Sequence, residues 1–121
     1  MKTVVVGATP NPERYAYLAT QMLQQYKHEV VLLGIKKGSV LGIDILNLYD
    51  KPALPDVHTI TLYIGPQHQE AWIDYLLQLR PKRIIFNPGT ENDYFAQRAG
   101  EAGIDVVEGC TLVMLRTGQY A

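Results

Sequence analysis

The residues of this chain best placed to do chemistry are Gly7, Ala8, Thr9, Asn11 and Arg14, which follow directly on the apolar run Thr3-Val4-Val5-Val6. A β-branched run that stops at a glycine and turns into a helix start is how open α/β sheets present a site for a phosphorylated ligand. Gly7 permits a tight turn. Ala8 and Thr9 are expected to offer backbone N–H groups and Asn11 to cap the helix. Arg14 adds a fixed positive charge to the positive end of the helix dipole. G-x-G-x-x-G would need further glycines where Thr9 and Pro12 stand, so the turn is not the dinucleotide fingerprint. It points to a phosphate-bearing ligand other than NAD, although a well-capped strand-to-helix turn with no ligand shares the same residues.

A second group lies at Gly34-Ile35-Lys36-Lys37-Gly38. An NAD site keeps an acidic residue in this region, about 20 residues past the glycines, for the ribose hydroxyls. Lys36 and Lys37 do nothing for a bare diol. They suit a ribose that carries a phosphate, as in coenzyme A or NADP, and a solvated basic loop is the competing reading. The third group is Asn87-Pro88-Gly89-Thr90, which either holds another part of the ligand or simply ends a strand. Gly65 closes a further strand and falls on the same side.

Candidate catalysts are few. His28 precedes a strand, His58 begins one, and His68 lies in the first turn of a helix. None belongs to a metal or nucleophile motif such as H-E-x-x-H, C-x-x-C or G-x-S-x-G. No catalytic residue and no metal site is therefore assigned. His68 alone lies near the ligand edge, where a capping or surface role suffices. Cys110 could line the pocket or act as a reactive thiol, and a small buried hydrophobe is the simpler reading. The first-turn position of Glu91 and Asp93 is explained by the helix dipole.

The elements that must position these groups alternate. Strands are expected at Thr3 to Val6, Glu29 to Leu33, Thr59 to Ile64, Arg83 to Phe86 and Ile104 to Val107. A helix from Arg14 to Tyr26 would turn Tyr15, Leu18, Ala19, Met22, Leu23 and Tyr26 to one face. A second is expected from Pro66 to about Leu79, with Ile73, Leu76, Leu77 and Trp72 inward. A third would be capped by Thr90, carry Phe95, Ala99 and Ala102 inward, and end at Gly103. Residues 36 to 56 are broken by glycines and prolines, with Ile45 to Tyr49 an edge strand or a helical turn. Cys110 to Arg116 is a helical turn or an added strand. The alternation implies a doubly wound, Rossmann-like α/β domain over residues 1–121, with about five parallel strands and helices on both faces. Gly7, Gly65 and Gly89 each follow a strand and so share one edge of the sheet, where such folds bind ligands.

Composition agrees with one ordinary globular unit. The chain has 121 residues, a net charge of −1 and a single cysteine. A near-zero charge leaves no basic footprint for nucleic acid. No apolar run approaches the roughly 20 residues of a membrane span. One cysteine cannot form an internal disulfide, and no signal region opens the chain; both point to the cytoplasm. Exposed aromatics such as Tyr49 and Tyr120 could support a homodimer.

Two segments together carry a resemblance. Val5-Val6-Gly7-Ala8-Thr9-Pro10-Asn11-Pro12-Glu13-Arg14 resembles the first-strand turn of the small single-domain CoA-binding proteins of bacteria. Ala99-Gly100-Glu101-Ala102-Gly103-Ile104-Asp105-Val106-Val107-Glu108-Gly109-Cys110 resembles their final helix, strand and cysteine. These proteins are similar to the N-terminal domain of the succinyl-CoA synthetase α subunit. The resemblance implies a doubly wound fold that binds coenzyme A at its strand ends, with Gly7, Ala8, Thr9, Asn11 and Arg14 near the phosphates. The chain departs from the family pattern at Gly34-Ile35-Lys36, at Val57-His58 and at Asn87-Pro88-Gly89. The synthetases carry their phospho-histidine in a separate domain, which these residues do not include. The expected function is binding of coenzyme A or a related phosphorylated adenine nucleotide, without catalysis by this chain alone. The alternatives are a small NADP- or nucleotide-dependent enzyme that needs a partner, and a protein-interaction module.

Overall fold

The computed structural model describes residues 1–121. Seven strands form one sheet: β1 (Lys2–Val6), β2 (Glu29–Gly34), β3 (Ser39–Val40), β4 (Ile43–Asn47), β5 (Thr59–Leu62), β6 (Arg83–Phe86) and β7 (Asp105–Glu108). Their spatial order is β3-β4-β2-β1-β5-β6-β7. Every pairing is parallel except that of β3 with β4. The helices are α1 (Tyr15–Gln25), α2 (Ile73–Gln78), α3 (Asp93–Glu101) and α4 (Thr111–Arg116).

The five expected strands are all present, and β3 and β4 raise the count to seven. Val40 and Ile43 pair across Leu41 and Gly42, both of which have positive φ (51° and 85°). That is the backbone of a two-residue hairpin turn, which favours residues other than leucine at its first position. Residues 48–50 then form a single 3-10 turn, so the segment is a strand followed by a turn of helix.

The central strands are apolar on both faces because helices cover both. Val4, Val6, Ile60, Leu62, Ile84 and Phe86 pack with α2 and α3. Val5, Leu32 and Ile85 pack with α1 and α4 through Ala16, Leu23 and Leu115.

Three helical expectations change. In α1 the buried residues are Ala16, Ala19, Thr20 and Leu23, while Tyr15 and Tyr26 are 70% and 46% exposed. Small residues let α1 lie close to the sheet, and the bulky tyrosines point outward. The segment after β5 is not one helix. It comprises two 3-10 turns, at Pro66–His68 and Glu70–Trp72, before α2 begins. The cap of α3 is Asn92, whose Oδ1 accepts from the Phe95 N–H at 3.1 Å. Thr90 is buried, and its hydroxyl donates to the Asn87 carbonyl instead. Ala102 is exposed, beyond the inward face of α3.

Tyr120 is 2% exposed and cannot serve as a surface for a second copy. Its ring closes the opposite edge of the sheet and its hydroxyl bonds to Thr3. No helix is long and apolar enough to cross a membrane.

Candidate functional site

The winding reverses at β1. From it the chain passes through α1 to β2 on one side, and later returns to place β5 on the other. The connections that leave the carboxyl ends of β1 and β5 therefore pass to opposite faces of the sheet, and between them open α/β sheets have their crevice. A cleft of about 1570 Å³ lies there, open to solvent. It is larger than the few hundred to 1,000 Å³ usual for a small-molecule site.

Gly7, Ala8, Thr9, Asn11 and Arg14 line the cleft, as do Lys36, Lys37, Gly65 and Gly89. Asn87 does not. It is buried beneath the cleft floor with its amide fully engaged. Its Nδ2 donates to Thr61 Oγ1 (2.8 Å) and the Leu62 carbonyl (2.9 Å), and its Oδ1 accepts from the Thr111 N–H (2.9 Å). Asn87 thus ties β5 and β6 to the start of α4 and presents nothing outward.

The β1–α1 turn is built by close approach. The Gly7 and Ala8 N–H groups both donate to the Leu33 carbonyl, at 2.9 and 3.0 Å. The Ala8 N–H is therefore spent on holding the loop against β2 and is not free for a ligand. Asn11 caps its own turn, with Oδ1 accepting from the Glu13 N–H at 3.0 Å, and Arg14 occupies the cap position of α1 without a side-chain bond. The backbone N–H groups of Thr9, Tyr15 and Ala16 have no acceptor in the protein. All three residues line the cleft. The Tyr15 and Ala16 donors stand at the positive end of α1, and the Thr9 donor belongs to the β1–α1 loop that precedes it. Tyr15 and Ala16 were not singled out by sequence, because helix-start donors depend on where the helix begins.

The cations beside this set are uncommitted. The protein's two ion pairs are Lys2–Glu29 and Asp74–Arg98, so Arg14, Lys36 and Lys37 carry no paired carboxylate. On the other side of the cleft the Gly89 N–H donates to Glu91 Oε1 at 2.8 Å. Tyr63 lines the floor with its hydroxyl buried and without a hydrogen bond. Burial pushes its pKa up to about 12, against a smaller opposite effect from the Thr61 and Thr111 hydroxyls, so it is a neutral phenol at physiological pH. Trp72 and Tyr49 meet edge to face at 5.1 Å on one wall. His68 lies on the rim, exposed and with no side-chain hydrogen bond. Cys110 stands before α4, half-buried and outside the cleft lining. No three His, Cys, Asp or Glu side chains gather as metal ligands.

Over residues 1–116 the sequence matches the family described as a CoA binding domain. The chain belongs to this family. Among solved structures it is similar to an uncharacterised protein with 50% identity, a TM-score of 0.95, and coverage of 98% of this chain and 97% of that one. A Thermus thermophilus protein is similar at 21% identity and a TM-score of 0.82, with 98% of this chain and 90% of that chain covered. A hypothetical protein from Pyrococcus horikoshii gives 22% identity and a TM-score of 0.80, covering 98% and 83%. These two likenesses concern the fold alone. No curated protein matches the chain. Membership of the family supports coenzyme A as the class of ligand and says nothing of a reaction.

Proposed function

We propose that the cleft binds coenzyme A, with the diphosphate on the α1 donors and the ribose 3′-phosphate at Lys36 and Lys37. The observation that carries this reading is the set of unpartnered N–H groups at Thr9, Tyr15 and Ala16, with the unpaired Arg14 among them. A diphosphate supplies the acceptors that these donors lack. Lys36 and Lys37 follow β2, beside this set, on the side where a doubly wound sheet receives the ribose. The exposed faces of Ile35 and Tyr49 line the cleft near them and offer an apolar seat for adenine. Gly65 and Gly89 are left for the remaining arm of the coenzyme. Asn87 acts beneath the site as a support.

The reading assigns binding alone to the chain, and Glu13, His68 and Glu70, exposed in the cleft, are given no role in it.

Isothermal titration tests the reading. Coenzyme A should bind more tightly than its 3′-dephospho form, and Lys36→Glu with Lys37→Glu should remove that difference. Arg14→Glu should weaken coenzyme A by roughly 1–3 kcal/mol. An absence of heat with coenzyme A, acyl-coenzyme A, NADP and ATP at millimolar concentration would overturn the proposal.

A further inference from the structure

Gln69 is 1% exposed, a long polar side chain enclosed by the protein. Its Nε2 donates to the Ile64 carbonyl at 2.8 Å and to the Thr90 carbonyl at 2.7 Å. Its Oε1 accepts from Asn92 Nδ2 at 3.0 Å, and Asn92 in turn caps α3. Both amide protons and the carbonyl are used. The two carbonyls it holds belong to the two loops that form the β5–β6 side of the cleft.

The orientation of those loops follows from peptide geometry. All peptide bonds are trans, so within one peptide the C=O and the N–H point in opposite directions. The Ile64 carbonyl is turned inward by Gln69. The Gly65 N–H, which belongs to the same peptide, is therefore turned away from the interior. It makes no hydrogen bond in the protein, and Gly65 lines the cleft. The space a Cβ would take at Gly65 is filled by the end of the Gln67 side chain, whose Oε1 would stand 2.9 Å from it, so a ligand reaches this donor by displacing a flexible, exposed side chain.

We propose that Gln69 is a positioning residue that aims the Gly65 N–H at an amide carbonyl of the pantetheine arm. The proposal rests on the coenzyme reading above. With the phosphates on α1 and the ribose at Lys36 and Lys37, the pantetheine arm has to run toward β5 and β6. That arm is uncharged and carries two amides. It is recognised by backbone donors and acceptors rather than by the cations that bind the phosphates. The Gly65 donor faces the path of the arm. Gln69 fixes its direction from behind and joins it to the Gly89–Thr90 loop opposite.

The test compares coenzyme A with adenosine 3′,5′-bisphosphate, which lacks the pantetheine arm. Gln69→Met keeps the length of the side chain and removes its donors. It should weaken coenzyme A about tenfold, the worth of one good hydrogen bond, and leave the bisphosphate unchanged. An equal loss for both ligands means that Gln69 only stabilises the fold, and no loss for either means that it positions nothing; both results overturn the proposal. Should the variant fail to fold, the amide resonance of Gly65 in the wild-type protein decides. It should shift on addition of coenzyme A and stay in place with the bisphosphate; a resonance that stays in place with both refutes the assignment. Absence of coenzyme A binding to the wild-type protein would remove the underlying reading, and this proposal with it.

Discussion

At the end of β2, Gly34 controls how closely the β1–α1 turn can approach its neighbour. A Cβ on Gly34 would stand 2.5 Å from the Ala8 carbonyl oxygen and 3.3 Å from Ile45 Cγ2. The obstacle is backbone on one side and a β-branched side chain on the other, so neither gives way cheaply. The approach is held by the two bonds from the Gly7 and Ala8 N–H groups to Leu33. Gly34→Ala is expected to push the turn outward. It should lower stability by about 1–3 kcal/mol, read as a lower urea midpoint at constant slope. It should also weaken coenzyme A, because the free donors of Thr9, Tyr15 and Ala16 belong to the displaced segment. An unchanged midpoint would show that the loop shifts at no cost. In the sequence Gly34 is just a strand terminator. That its missing Cβ matters is visible only once Ala8 is known to lie over it.

The elements that sequence makes legible are those whose signal is local. Buried parallel strands show as short apolar runs, so β1, β2, β5, β6 and β7 stand out from Val4, Leu32, Ile60, Ile84 and their neighbours. The β3–β4 hairpin does not, because Leu41 occupies a turn position that favours glycine or asparagine, and the strands beside it are short. Helix faces fail where a cleft competes for residues. Tyr15 fits the apolar periodicity of α1, yet it lines the cleft instead of the core. Long-range polar ties are the least legible. Gln69 lies in the polar stretch Gln67-His68-Gln69-Glu70, and nothing in it marks one residue as buried. Asn87 was visible as a strand-end residue, but its partners are up to 26 positions away. Its role belongs to α4, a helix of 6 residues too short to stand alone. Asn87→Ala strands the Thr111 N–H and the Leu62 carbonyl. It should cost about 2–3 kcal/mol, seen as a melting temperature lower by roughly 10 °C. Hydrogen exchange should speed up most in α4. A uniform change across the protein would mean that α4 is held by its apolar contacts alone.

Across the whole molecule the two edges of the sheet have different tasks. The carboxyl edge is open and lined by unpartnered donors and cations. The amino edge is sealed, and its seal is a cluster of positive and titratable groups. Arg83 lies 4.5 Å from the Tyr120 ring, donates from Nη1 to the Tyr120 carbonyl (2.9 Å) and from Nε to Thr59 Oγ1 (3.1 Å). The His28 ring packs edge-on against Tyr120 at 5.0 Å, and His58 Nδ1 is 2.8 Å from Thr59 Oγ1. Burial lowers the pKa of both histidines. The chain's amino terminus and Arg83 lower His28 further, with a contribution from His58; Arg83, Lys82 and the amino terminus do the same to His58. A histidine unfolds to a pKa of about 6.5. As the pH falls below that value the unfolded chain takes up protons that the folded chain refuses, so stability decreases until the folded pKa is passed. The melting temperature should therefore decline between pH 7 and pH 5.5, above the range in which ordinary carboxylates titrate. Replacing His28 and His58 together by glutamine should flatten that decline while leaving coenzyme A affinity at pH 7 unchanged, since both residues lie at the edge opposite the cleft. A decline as steep in the double variant as in the wild type would place the acid sensitivity elsewhere. A change in affinity at pH 7 would show that the two edges are coupled through β1, β5 and β6.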